Sequence, residues 1–365
     1  MFLIAIGSIG LIVAKVRSGI AGPRQQSIDA ETRNHLNHYL FVEIGDEDPH
    51  EQPEAFRRRL QPQLVHLMIA LEVDPASRRG RKRSSLRRVM LSLTTEVIGE
   101  TRLRLNLAFD HFGFIDEAIE GLKDSNWWIR AEAAKNAGLM MAENALPFLE
   151  ACLDDERDDV RIEAAQAMLD IAGVAILGPV LMRLHGMTPW MQVRLSKTIL
   201  GFGEQAVSQL EVGLKSPVPV IQAFCAEMLG ILGDVKAVPT LMEFIDYSVT
   251  EVKHKSFIAL GRIGDRSSIP VIQRFLRSGE EQLRADAAKA AGNISTPSLA
   301  SELFGMLVKD TVPVKFAAAE ALAKSGELGI KSLSYAINHD DEQVRVIAMQ
   351  FLHEAGYPVP GREGR

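Results

Sequence analysis

The chain has 365 residues, 47% of them hydrophobic and 24% charged, a balance that describes a folded protein and excludes a disordered one. Its formal charge of −6 is uneven: residues 1–115 carry 16 basic and 13 acidic side chains, whereas residues 116–365 carry 25 and 34. The acidic C-terminal portion is a poor grip for a phosphate backbone, so no nucleic-acid partner is expected, and two cysteines, Cys152 and Cys225, cannot make a disulfide framework.

Residues 1–17 open with fourteen uncharged residues, MFLIAIGSIGLIVA, followed by Lys15 and Arg17. Positive charge after the apolar run, rather than before it, argues against a cleaved signal peptide. The segment reads as a short membrane anchor, extended by Val16 and a snorkelling Lys15, with the rest of the chain on the cytoplasmic side. A helix packed within the fold is the other reading.

Residues 18–83 read as a linker and an irregular helical region. Ser18–Ser27 is polar and contains Gly19, Gly22 and Pro23; Ile28–Ile44 has weak helical spacing; Gly45–Pro53 is an acidic loop. Glu54–Val73 reads as a helix with Pro62 as a kink or break. A basic run comes next, with Arg78, Arg79, Arg81, Lys82, Arg83, Arg87 and Arg88. These seven are candidates for lipid-headgroup contact beside the anchor, against the simpler reading of a solvated loop leading into a helix and a third reading as a nucleic-acid contact or nuclear signal. Residues 84–113 read as a degenerate helix pair that caps the C-terminal array.

From residue 114 to 356 one pattern repeats eight times. An apolar residue closes a first helix at Leu122, Leu153, Leu184, Leu214, Ile245, Leu276, Leu307 and Ile337. A second register runs through Arg130, Arg161, Arg194, Gln222, Lys253, Arg284, Lys315 and Arg345. A period near 31 residues marks stacked helical hairpins, in which each unit buries its apolar face only against its neighbours. Three residues after the ladder position the side chain is small in seven repeats and is Lys197 in the third. Eight residues after it, Gly138, Gly230, Gly261 and Gly292 recur, which points to close helix contacts. The third repeat breaks step: its ladder residue, Arg194, comes ten residues after Leu184 where other repeats show eight. Trp190, on the longer turn His185–Gln192 of that repeat, and Lys197 beyond it, with Trp127 and Trp128 in the first repeat, are the candidate partner-binding residues, since tryptophan is favoured at binding hot spots.

First-helix prolines (Pro147, Pro179, Pro239, Pro270) and the pairs Ile129–Arg130, Val160–Arg161, Val193–Arg194 and Val344–Arg345 make this segment resemble the HEAT-repeat family. The likeness is to the short bacterial form, similar to the repeats of phycobilisome lyases. The resemblance implies an all-α, right-handed solenoid of about eight hairpins. It also implies a structural role for Arg130, Arg161, Arg194, Lys253, Arg284, Lys315 and Arg345, pairing with acidic or backbone groups between adjacent repeats; Gln222 departs from that pattern.

Little points to chemistry. His35 and His38 stand three apart with no matching cluster in the sequence, and no metal site or cofactor is expected. HEAT-like hydroxylases bind iron through repeated His-Glu dipeptides, and the array holds one, His353–Glu354. The expectation is a non-enzymatic scaffold tethered to a membrane, holding a protein partner that is itself membrane-embedded in one version. The alternatives are a soluble cytoplasmic adaptor and a bilin-lyase-like modifying enzyme. Residues 357–365 read as a frayed tail.

Overall fold

The structure is a computed structural model, and it describes residues 23–41 and 53–358. The apolar segment 1–17 and most of the acidic loop 45–53 lie outside the described residues. All regular structure among the described residues is helical, and the chain divides into two compact units, residues 1–171 and 172–365.

In the first unit, helices α1 (Pro23–Phe41), α2 (Pro53–Leu71), α3 (Arg81–Leu93) and α4 (Gly99–His111) pack around Leu36, Leu40, Leu60, Leu86, Met90 and Phe109, all buried. The cap is therefore larger than the pair read at 84–113. Tyr39 of α1 donates its hydroxyl proton to the Arg104 carbonyl at 3.0 Å, and Thr32 meets Ser85 at 3.4 Å. Pro62 does not end α2, which runs unbroken through it.

Two hairpins come after the cap: α5 (Phe114–Gly121) with α6 (Trp127–Leu139), and α7 (Leu146–Cys152) with α8 (Asp158–Ala172). The second unit holds six more. They are α9 (Leu177–Arg183) with α10 (Pro189–Phe202), α11 (Val207–Gly213) with α12 (Pro219–Leu232), and α13 (Val238–Tyr247) with α14 (Thr250–Ile263). Then come α15 (Ile269–Phe275) with α16 (Glu281–Asn293), α17 (Ala300–Lys309) with α18 (Val312–Lys324), and α19 (Gly326–Ala336) with α20 (Glu342–Glu354). From α12 onward each second helix packs on the next second helix, so the unit is stacked like a solenoid.

The four recurring glycines explain the tightness of the stack. A Cβ on Gly230 would come 2.5 Å from the Cα of Ala259; on Gly292, 2.6 Å from that of Ala321; on Gly138, 2.8 Å from that of Ala167. Only hydrogen lets these backbones meet. A second device ends the helices. Eleven residues past the ladder position φ is positive in all but the second repeat, with Gly233 and Gly264 at φ 73° and 75° and Met141 and Ser295 at φ 54°; in the second repeat it comes one residue later, at Gly173.

The third repeat keeps the helical register of the others. Second helices begin at Trp127, Asp158, Pro189, Pro219, Thr250, Glu281, Val312 and Glu342, three residues before the ladder position each time. For the third repeat that position is Gln192, not Arg194. The Gln192 N–H donates to the Thr188 carbonyl at 3.0 Å, four residues back, as Arg161 does to Arg157 and Gln222 to Val218. The small slot is then Leu195, fully buried, and Lys197 is an ordinary exposed position rather than part of the tight contact. The register is set by which face is buried: Met191, Leu195 and Ile199 have no exposed surface, so α10 turns Arg194 two places away from the ladder.

One described stretch, Asp158–Arg183, is long and apolar enough to cross a bilayer by length and composition. It is α8, a 3-10 turn and α9 in succession, broken at Gly173 (φ 70°), and it supplies core residues such as Val160, Ile162, Leu177 and Leu181. No membrane anchor is seen among the described residues.

Candidate functional site

The ladder side chains fold back on their own turns. Nη1 of Arg130, Arg161, Arg284 and Arg345 and Nε2 of Gln222 each donate to the carbonyl six residues earlier, at 2.8–2.9 Å. Three rungs also reach the turn of the next repeat. Arg130 holds Asp155 through two bonds of 2.6 and 2.9 Å, Arg284 holds Asp310 through two of 2.9 and 2.7 Å, and Lys315 meets Asp341 at 2.9 Å. The carboxylate lies 25 or 26 residues after the cation. Arg161 has Gly186 and Met187 at those places and pairs instead with Asp158 on its own helix. Lys253 has Ser278 and Gly279 there, and its ammonium lies 5.8 Å from the centre of the Phe275 ring.

These contacts set local charge states. The Arg284 hydrogen bonds hold the Asp310 carboxyl below the usual range, and Lys315 does the same for Asp341. For Asp155, burial pushes the carboxyl up, but the bonds from Arg130 and the Arg157 backbone outweigh it and the net shift is downward. Burial pushes the Cys152 thiol up to about 11 and raises Cys225 as well, so both stay protonated packing groups.

The basic run is largely paired within the first unit, at its surface except for Arg83. Arg78 pairs with Glu120, Lys82 with Glu72, and Arg88 with Asp29. Arg83 is 5% exposed; its Nη2 donates to the Phe112 carbonyl and to Glu117, both at 2.6 Å, while its guanidinium lies 4.4 Å from the Phe114 ring centre. Arg87 approaches the same Glu117 at 3.6 Å. Arg79 and Arg81 are exposed.

All three tryptophans sit in the first turn of a second helix and are open to solvent: Trp127 39%, Trp128 55% and Trp190 61% exposed. Trp128 and Trp190 share one register slot, two before the ladder residue. Trp127 is engaged by the Arg157 guanidinium at 4.7 Å. Trp128 lines a groove of about 230 Å³ with Phe114, Glu117, Glu132, Asn136 and Arg87.

One pair escaped the sequence reading. His254 Nδ1 lies 2.7 Å from Asp286, which is only 3% exposed and also accepts from Gln282 Nε2 at 3.0 Å. An ionised carboxylate can only accept, so His254 donates from Nδ1 and turns Nε2 away from the pair. The signal was present: the slot after the ladder residue holds Ala131, Ile162, Val193, Ala223, Ala285, Phe316 and Val346, and only here a histidine.

A family model for HEAT repeats matches residues 105–169 and 248–323, which cover the first hairpins and the stack around His254. The chain carries HEAT repeats. Among curated proteins, the deoxyhypusine hydroxylase of Cryptococcus neoformans var. neoformans serotype D is 30% identical over 96 residues. The match covers 25% of this HEAT-repeat chain and 27% of that protein, so the chain spans about a quarter of the length of the relative it matches. Solved structures to which the chain is similar include the CpcE–CpcF complex of phycocyanin lyase from Nostoc sp. PCC7120 (22% identity, 68% of this chain and 90% of that one, TM-score 0.31). Human deoxyhypusine hydroxylase is another (16% identity, 81% and 96%, TM-score 0.30). Likenesses at that level carry no argument about function.

The reading of the chain as non-enzymatic does not stand, because the relative of its repeats is named as an enzyme. Of His-Glu dipeptides the chain holds two, His50–Glu51, which lies outside the described residues, and His353–Glu354 in the array; among the described residues no group of three or more His, Cys, Asp or Glu is placed to hold a metal ion.

Proposed function

We propose that the chain is a protein-binding HEAT-repeat array that meets its partner with the exposed faces of its second helices. The observation that carries this is the placement of the tryptophans: the three most costly residues to leave in water are all exposed, and all open second helices. A photo-crosslinking amino acid placed at Trp190 or Lys289 should trap a discrete partner in the source cells, and the same group on the first helices, at Glu150 or Lys331, should trap little.

A second reading, that the chain modifies its bound partner, is favoured by His254. Its imidazole is oriented by a buried carboxylate, the arrangement that prepares a proton acceptor. A mass change in a trapped partner that disappears with His254→Leu would support it; an unchanged partner would oppose it.

Tethering to a membrane rests on residues 1–17 alone, and a membrane-embedded partner would gain effective concentration from it. Fractionation of the full chain beside residues 27–365 tests this: the full chain should pellet with membranes and the shorter one should not.

A further inference from the structure

We infer that the groove between α5 and α6 in the first unit receives a basic side chain, arginine or lysine, from an extended segment of the partner protein. This rests on the reading of the array as protein-binding and names the chemistry of one contact. Three residues of α6 form the wall. Trp128, Glu132 and Asn136 are spaced four apart, so they lie on one face, and all three line the groove. Phe114 and Met140 give it an apolar floor. At about 230 Å³ it is smaller than the roughly 300–1,000 Å³ of small-molecule sites and suits a side chain.

Charge selects the occupant. Glu132 is exposed and carries no ion pair among the described residues, one turn from the open face of Trp128. A cation set there gains the ring quadrupole and the carboxylate together. Its neighbour shows the preference: Trp127 already holds a guanidinium, that of Arg157, at 4.7 Å, whereas Trp128 holds none among the described residues. Across the groove Arg87 lies 3.6 Å from Glu117, a carboxylate that the buried Arg83 also holds at 2.6 Å, so the lining cation is drawn toward a carboxylate of its own wall. Asn136 supplies an amide that can both donate to and accept from a peptide backbone.

The test is selection of displayed random peptides on the intact chain, followed by affinity measurement on variants. Selected peptides should carry arginine or lysine beside an apolar residue. Binding should weaken about tenfold with Glu132→Gln and again with Trp128→Leu, the scale of one charge-assisted contact and one cation–π contact. Replacing the peptide arginine by citrulline, which keeps shape and removes charge, should weaken it as much. Peptides without a basic residue, peptides indifferent to Glu132→Gln, or no enrichment at all would overturn the inference. Peptides that bind the array yet ignore both variants would sink the groove while leaving the protein-binding reading intact.

Discussion

Gln192 donates its backbone N–H to the Thr188 carbonyl at 3.0 Å, the first-turn bond that marks it as the ladder position of the third repeat. Arg194, two residues on, offers a Val-Arg pair that imitates the ladder of its neighbours, but the helix is rotated to bury Met191, Leu195 and Ile199. Leu195→Ala is therefore expected to cost about 2–5 kcal/mol and Lys197→Ala less than about 0.5 kcal/mol. Denaturant unfolding of the two variants checks this. Equal effects would return Lys197 to the tight slot.

Two glycines separate steric from conformational cost. Gly264 lies at φ 75° with open space where a Cβ would go, so Gly264→Ala is expected to cost about 1–2 kcal/mol from backbone strain alone. Gly230 is an ordinary helical residue whose Cβ would come 2.5 Å from the Ala259 Cα. Gly230→Ala must push two helices apart and is expected to lose about 3 kcal/mol or more, despite alanine's better helix propensity. Thermal unfolding should rank them in that order.

Much of this was legible in the sequence. The glycines at Gly138, Gly230, Gly261 and Gly292 announced close helix contacts because nothing else explains glycine at one register of a helix interior. Helices α1 and α2 were not legible as part of the cap: their apolar residues show little periodicity, and only packing on α3 and α4 identifies Leu36 and Leu60 as core. The Trp128 groove was half visible. The tryptophan stood out, but its alignment with Glu132 and Asn136 against Phe114 depends on how α6 sits on α5. His254 and Asp286 lie 32 residues apart, and neither is unusual until the slots are superposed.

The Arg284–Asp310 rung links adjacent turns with both side chains largely buried. Arg284→Ala leaves Asp310 without its cation and is expected to cost about 2–4 kcal/mol, against about 1 kcal/mol for Gln222→Ala, which removes one neutral bond. The pH dependence comes from the lowered carboxyl of Asp310. A folded-state pKa below the unfolded value gives stability that is present above the unfolded pKa and is lost as pH falls through the folded one. Asp310→Asn should thus be less stable than the parent at pH 7, and the difference should shrink below about pH 4. A difference that stays constant with pH would show that the rung is not ionic.

His254→Leu removes the basic partner of the buried Asp286 and leaves Gln282 as the side-chain donor still bonded to it. The expected loss is about 1–3 kcal/mol, and the double variant His254→Leu, Asp286→Leu should recover part of it because no buried charge is left unpaired. A double-mutant cycle on unfolding free energies measures the coupling; additive losses would mean that the pair does not interact.

The most direct measurement for the array as a partner-binding surface is site-specific photo-crosslinking in the source cells, read position by position. Second-helix positions Trp190 and Lys289 should trap the same discrete protein, while first-helix positions Glu150 and Lys331 trap little. Equal trapping from both sets of helices, or none from either, would contradict it.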